Sequence, residues 1–325
     1  MIKIVITGAS GFIGQAFLCR FAADPELELY GVGRRPLLQN LSGIRYSQLD
    51  LADLNTLDFT PDVVIHAAGK AGPWGRREEY WRDNVLTTEQ VINFCHKREN
   101  PRLIYLSTAA VYYRYQHQLG LTEQETIGPD FANEYARSKY QAEQKVQAYQ
   151  GEKTILRPCA VFGVGDKLLF PPLLEAAGKK QLPLLTSADR PAFGDIMPVE
   201  TLCDYMRGAV TLPQLRPVYN LSNAESVAIN AFLQEVLKRF NLPAAKKQIS
   251  VGQLMLIARL VEGGYRLLGI NKAPPITRFG VGVFGYSKTL DVNAALTDFG
   301  PPSCSLSAGL DALVQHYSEQ TLCLS

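Results

Sequence analysis

The sequence predicts an α/β protein: a doubly wound parallel sheet with a smaller C-terminal lobe interleaved with it. Three observations carry that expectation. Short runs rich in Ile, Val and Leu alternate with longer amphipathic stretches through the first half, as in βαβ units. The first run leads straight into Thr7-Gly8-Ala9-Ser10-Gly11-Phe12-Ile13-Gly14, a glycine-rich turn that opens a helix. After about residue 165 the pattern changes, and proline pairs (Pro171-Pro172, Pro274-Pro275, Pro301-Pro302) divide the chain into shorter pieces.

Taken in order, strands are expected at 3–7, 29–33, 45–48, 63–67, 103–107 and 154–157. These runs show little alternation, as parallel strands buried on both faces do. Between them, amphipathic helices are expected at 11–23, 80–98 and 133–149. Two later runs, 195–198 and 218–221, read as strands returning to the main sheet. The expected organisation is therefore a dinucleotide-binding unit at 1–165 with returning segments at about 194–222, and a substrate lobe formed by 166–193 and 223–325.

Composition narrows the function classes. Of 325 residues, 46% are hydrophobic and 20% charged, enough apolar material for a substantial core. The formal net charge is +2 without long runs of Lys or Arg, which argues against a nucleic-acid partner. The six cysteines are scattered with no CxxC pair, so neither a metal site nor a disulfide framework is expected, and reduced thiols fit a cytoplasmic protein. The N-terminus runs directly into a strand pattern and does not read as a signal peptide. The segment 249–270 is the most membrane-like, but Arg259, Glu262 and Arg266 make it a poor spanning helix.

The turn from Gly8 to Gly14 points to a dinucleotide. Gly8, Gly11 and Gly14 would let the backbone approach a pyrophosphate, and Ser10, Phe12 and Ile13 surround the helix N-terminus that would bind it. An acidic residue about 20 positions on would hold the ribose 2′-hydroxyl of NAD. Here the second strand ends Gly33-Arg34-Arg35 instead, and two guanidinium forks suit the 2′-phosphate of NADP. NADP(H) is thus the preferred cofactor, with NAD(H) the alternative. Asp50 and Leu51 either line the adenine pocket or cap a turn.

The catalytic candidates follow from Tyr135-Ala136-Arg137-Ser138-Lys139. Positions i and i+4 share a helix face, so phenol and ammonium can enter one cleft. A nearby lysine cation is expected to draw the tyrosine pKa down towards the working range. The preceding strand ends Ser107-Thr108, where a hydroxyl opens onto the ligand crevice. Either hydroxyl could donate to a substrate oxygen. His66 reads as a packed residue at a strand end.

The glycine turn, Asn84-Val85, the Ser-Thr strand end, YxxxK and Leu156-Arg157-Pro158 together resemble the extended short-chain dehydrogenase/reductase family. The resemblance implies a Rossmann fold, a catalytic Thr108 four residues before Tyr112, and a Lys139 that binds the nicotinamide ribose. It also implies that Pro158 to Val161 flank the nicotinamide, that Ala67, Ala68, Gly69 and Asn84 lie along the cofactor, and that helices 80–98 and 133–149 pair in a homodimer.

Within that family, the loop Ala67-Ala68-Gly69-Lys70-Ala71-Gly72-Pro73-Trp74-Gly75 is similar to the Trp-Gly loop of 3β-hydroxysteroid dehydrogenase-like reductases, and segments between Ile249 and Tyr317 resemble the same group. Lys70, Trp74, Phe193 and Met197 are the candidate substrate residues. The expected chemistry is interconversion of a ketone and a secondary alcohol on a small hydrophobic molecule, with Tyr135 as general acid or base. The rivals are a nucleotide-sugar epimerase or dehydratase with retained NAD, and a non-catalytic dinucleotide-sensing module. Leu256, Leu260 and Leu267 recur at helical spacing; they read as a lobe helix packed on the core, or else as the wall or lid of a hydrophobic site in peripheral contact with a membrane.

Overall fold

A computed structural model describes residues 1–37, 42–187 and 189–322. The first half runs β1 (Ile2–Thr7), α1 (Phe12–Phe21), β2 (Leu27–Gly33), β3 (Arg45–Gln48), β4 (Val63–His66), α2 (Arg77–Tyr80), α3 (Thr87–His96), β5 (Arg102–Leu106), β6 (Gln118–Leu121), α4 (Glu134–Gln147) and β7 (Lys153–Pro158). There follow β8 (Ala160–Phe162), α5 (Phe170–Gly178), β9 (Leu184–Thr186), β10 (Phe193–Pro198), α6 (Val199–Thr211), β11 (Val218–Leu221), β12 (Ser226–Ala228) and α7 (Ile229–Arg239). The chain ends with β13 (Gln248–Ser250), α8 (Val251–Leu267), α9 (Arg278–Gly285), β14 (Lys288–Leu290), α10 (Asn293–Phe299) and α11 (Leu306–Leu322).

The main sheet has the order β11-β7-β5-β4-β1-β2-β3, and its pairings are parallel. This is the doubly wound, Rossmann-like architecture that the alternating pattern predicted. Side chains on β1 alternate between two cores, as the strand period of two requires. Ile4 and Ile6 join Phe17 and Leu18 on one face; Val5 joins Val32, Val91 and Phe94 on the other. The strand order reverses beside β1, between its neighbours β2 and β4. At such a switch point the loops after β1 and β4 diverge and leave a crevice at the carboxyl ends of the strands.

One strand lies elsewhere than expected. Val218–Leu221 does join the main sheet, beside β7. The run 195–198, observed as β10, belongs instead to a second sheet of order β12-β10-β14-β6, with β8 on its flank. The cause is local: the chain leaves the main sheet just after Pro158, and β8 pairs in parallel with β10 through Ile196↔Ala160 and Met197↔Val161. A separate core under this second sheet gathers Phe162, Phe170, Leu173, Leu233, Leu237 and Leu310.

The expected helix at 80–98 is interrupted. Between α2 and α3 the backbone makes a π-helical turn, Trp81–Leu86, an irregularity that frequently marks functional sites. Asn84 sits within that turn and is buried.

The lobe helix α8 differs more sharply from its expected packing. It buries Val251, Ala258 and Glu262, whereas Leu256, Leu260 and Leu267 are 60%, 69% and 89% exposed. The packed face is the one with smaller side chains because α8 sits close against α9: a Cβ at Gly285 would lie 2.7 Å from Val251. Glu262 accepts the backbone N–H of Arg278 at 2.7 Å and its Nε at 2.8 Å. Among the described residues no helix is long and apolar enough to cross a membrane.

Candidate active site

The glycine turn is built without spare room. Gly8 has φ +71°, and a Cβ there would stand 2.7 Å from the Ala68 backbone. A Cβ at Gly14 would meet the Gly8 carbonyl at 2.3 Å, so this position has to be glycine. Gly11 caps α1 without a side-chain hydrogen bond, which leaves the first-turn N–H groups of Phe12 and Ile13 to face an anion. Ser10 lies against the end of β2, where a Cβ on Gly33 would be 2.6 Å from its Oγ. The residues present fit a dinucleotide: the turn has close backbone approach, and its helix terminus carries no acidic side chain in the first turn.

Arg34 and Arg35 follow at the end of β2, both exposed. Their backbone is held by β3: Tyr46 donates to the Arg35 and Gly33 carbonyls, and Gln48 to that of Arg34 at 3.1 Å. Arg35 reaches back to the Ser10 carbonyl at 3.4 Å, and Arg34 lies 3.9 Å from Asp83. Arg35 therefore borders the glycine turn, while Arg34 is directed towards Asp83. Asp50 accepts the N–H of Ala52 at 3.0 Å as a turn cap, and Leu51 is packed in the core.

On the other side of the crevice, β4 ends in His66. Burial pushes its imidazole down to about 3, so it is neutral, bridging Thr7 at 2.7 Å and Thr88 at 3.0 Å. Beyond it, Ala67, Ala68 and Gly69 pass over the Gly8 turn. Asn84 clamps this loop through both polar groups of one residue: its Oδ1 accepts the Lys70 N–H at 2.6 Å and its Nδ2 donates to the Lys70 carbonyl at 3.0 Å. The same Nδ2 donates to Ser138 at 2.8 Å, joining the loop to α4. A Cβ at Gly69 would clash with Asn84 Oδ1 at 2.9 Å.

Tyr135 and Lys139 lie one turn apart on α4, which Asn133 caps by accepting the Ala136 N–H at 2.8 Å. The Thr108 hydroxyl lies near enough to the Tyr135 phenol to lower its pKa, and it accepts from Ala110 N at 3.2 Å. Ser107, its neighbour, is 3% exposed and gives its hydroxyl to Glu143. The structure thus brings Thr108, not Ser107, to the phenol.

The electrostatics depart from the sequence-based expectation. Burial raises the Tyr135 phenol above its ordinary value, and the nearby Thr108 hydroxyl only partly offsets that rise. Lys139 does not depress it, because the ammonium donates to the Leu106 carbonyl at 2.6 Å and lies 4.2 Å from the Tyr105 ring centre. Burial brings the lysine itself down to about 7, while Glu143 acts in the opposite direction. Tyr135 is consequently a protonated acid at neutral pH, and Lys139 titrates near neutrality.

Glu143 was missed by the sequence reading, although its i+4 spacing from Lys139 was a usable signal. It is fully buried and salt-bridged to Arg157 at 2.5 Å. Tyr80, whose ring lies 6.3 Å from that of Tyr135, was also missed.

The remaining candidates are dispersed. Pro158 ends β7 and Val161 pairs with Met197 between β8 and β10. Met197 has no exposed surface and belongs to the main core, so it packs the fold instead of lining a cavity. Phe193 is 39% exposed at the start of β10. Trp74 packs edge-on to Tyr265 with ring centres 6.3 Å apart, and the two border a cavity of about 340 Å³ with Glu79, Glu134 and Ile270. Lys70 pairs with Glu79 at its edge.

Residues 4–204 match the model of the NAD dependent epimerase/dehydratase family. The chain belongs to that family. It is an oxidoreductase of the extended short-chain dehydrogenase/reductase type, working between CH–OH and C=O with a nicotinamide cofactor. Among curated relatives, a 2-alkyl-3-oxoalkanoate reductase of Stenotrophomonas maltophilia is 32% identical, across 96% of this chain and 98% of that protein. A 3β-hydroxysteroid-dehydrogenase/decarboxylase of Arabidopsis thaliana is 27% identical across 79% of this chain and 62% of that protein. Of solved structures in this family's fold, the Bordetella bronchiseptica enzyme WbmH in complex with NAD+ aligns with TM-score 0.76 at 20% identity, covering 98% of this chain and 99% of that one.

Proposed function

We propose that this chain reduces a ketone on a small hydrophobic molecule to a secondary alcohol, using NADP(H) in preference to NAD(H). The observation that carries the reading is the grouping of Tyr135 and Lys139 one turn apart on α4 with Thr108 at the end of β5 beside the phenol. When bound, the nicotinamide dinucleotide supplies the hydride. The turn from Gly8 to Gly14 would receive its pyrophosphate, Arg34 and Arg35 its 2′-phosphate, Lys139 its ribose, and Ala67 to Gly69 with Pro158 and Val161 its remaining length.

Tyr135 passes its phenolic proton to the carbonyl oxygen as that oxygen gains charge. Its raised pKa keeps the proton in place at neutral pH, as reduction requires. Thr108 donates a second hydrogen bond to the same oxygen and localises the developing charge. Lys139 keeps positive charge close to the site in the fraction of molecules where it is protonated.

Trp74, Tyr265 and Ile270 give the neighbouring cavity apolar surface, and Lys70 and Phe193 are the remaining candidates for substrate contact. The names of two relatives, both 2-alkyl-3-oxoalkanoate reductases, support a hydrophobic 3-oxo acid as the first substrate to test. The decisive experiment compares Tyr135→Phe with the unaltered chain on such a ketone. Turnover should fall by roughly 100-fold or more while NADPH affinity is retained; equal turnover would overturn the assignment.

A further inference from the structure

We propose that α8 and the turn after it form a docking face for an anionic lipid surface. The outward side of α8 carries Leu256, Leu260 and Leu267, which share a helix face by their i, i+4, i+11 spacing. Beside them lie Ile257 and Leu268, 47% and 73% exposed. Apolar residues of this size are ordinary on a surface when scattered, but a contiguous patch marks an interaction site.

The charge around the patch selects the partner. From residue 241 to 290 there are seven Lys and Arg and a single acidic residue, Glu262. Glu262 is buried and bound to Arg278, and Lys288 is buried within the lobe. That leaves Lys246, Lys247, Arg259, Arg266 and Lys272 exposed. Glu175 acts on Lys272, and Glu78, Glu79 and Glu134 line the cavity that Arg266 borders, so the positive edge of the patch rests on Lys246, Lys247 and Arg259.

An exposed leucine stripe edged by cations is the pattern of a helix that lies in a lipid interface, its apolar face among the acyl chains and its cations at anionic headgroups. A two-fold contact with a second copy of this chain would set the same cations against one another, which disfavours self-association through this face.

The test uses the full chain and sedimentation with sucrose-loaded vesicles. The chain should pellet with vesicles that mix phosphatidylcholine and phosphatidylglycerol, remain in the supernatant with phosphatidylcholine alone, and be released by added salt. Arg259→Gln should weaken the partition by roughly five-fold, and Leu256→Ser with Leu260→Ser by about ten-fold or more. Circular dichroism should be unchanged in each, because the replaced side chains are exposed. Failure to pellet with the anionic vesicles, or equal pelleting of the double variant, would overturn the proposal. So would a double variant that turns a dimer into a monomer in sedimentation equilibrium without changing vesicle binding, since a second copy would then cover the face.

Discussion

Arg157 and Glu143 form a salt bridge in which the two side chains are 3% and 0% exposed. Glu143 also accepts the Ser107 hydroxyl, and Arg157 donates to the Tyr112 hydroxyl, which in turn donates to Asn220 at 2.9 Å. The network ties α4, which carries Tyr135 and Lys139, to β5, β7 and β11. Removing one partner leaves a buried charge unpaired, and such a change costs about 3–5 kcal/mol. Glu143→Gln should therefore lower the free energy of unfolding in urea by an amount of that order. An unaltered midpoint and slope would refute the structural weight given to the pair.

Ser107 and Thr108 separate by the same network. Thr108→Val removes the hydroxyl beside Tyr135 and should cut kcat by roughly 100-fold, with a loss of stability of about 1 kcal/mol because the cap on Ala110 N goes with it. Ser107→Ala should retain most turnover and instead destabilise by about 1–3 kcal/mol, since Glu143 loses a buried donor. Parallel kinetics and urea titrations of the two variants check this, and the reverse pattern would exchange their roles.

Lys139 gives a pH dependence with a definite sign. Its proton is held more weakly in the folded chain, where the pKa is about 7, than at its ordinary 10.5. Between those values the unfolded chain binds more protons, so the contribution to stability rises with pH, and the penalty is fully present below 7. Lys288 is likewise lowered to about 7 by burial and adds a slope of the same sign. Unfolding free energy should rise from pH 7 to about 8.5, below the range where most thiols and phenols titrate. Lys139→Met should keep only part of that rise. Reductive kcat/KM should fall as pH increases through about 7, because the Lys139 cation that keeps positive charge beside the site is lost there; a flat profile across pH 7 would remove that role.

Arg35 tests cofactor choice. A charge-assisted hydrogen bond contributes about 1.5–3 kcal/mol, so Arg35→Ala should weaken NADPH binding by roughly ten-fold or more and leave NADH binding nearly unchanged. Calorimetric titration of cofactor-free protein with both dinucleotides reads the difference. Equal affinity of the unaltered chain for the two would remove the 2′-phosphate from the role proposed for these arginines.

Features with a short sequence range are legible in the amino-acid order alone. The glycine spacing of the first turn, the apolar runs of the main sheet and the shared helix face of Tyr135 and Lys139 depend on backbone geometry over a few residues, so the sequence by itself determined them. Tertiary structure decided which of two neighbouring hydroxyls is open, because Ser107 and Thr108 project to opposite sides of an extended segment and only packing says which side is filled by Glu143. It likewise placed β10 in the second sheet, buried Met197 and turned Leu256, Leu260 and Leu267 outwards. A helix that is apolar on two faces does not encode which face is covered. That depends on the partner, and in this lobe the close approach of α9 at Gly285 and the Glu262–Arg278 pair select the side with the smaller residues.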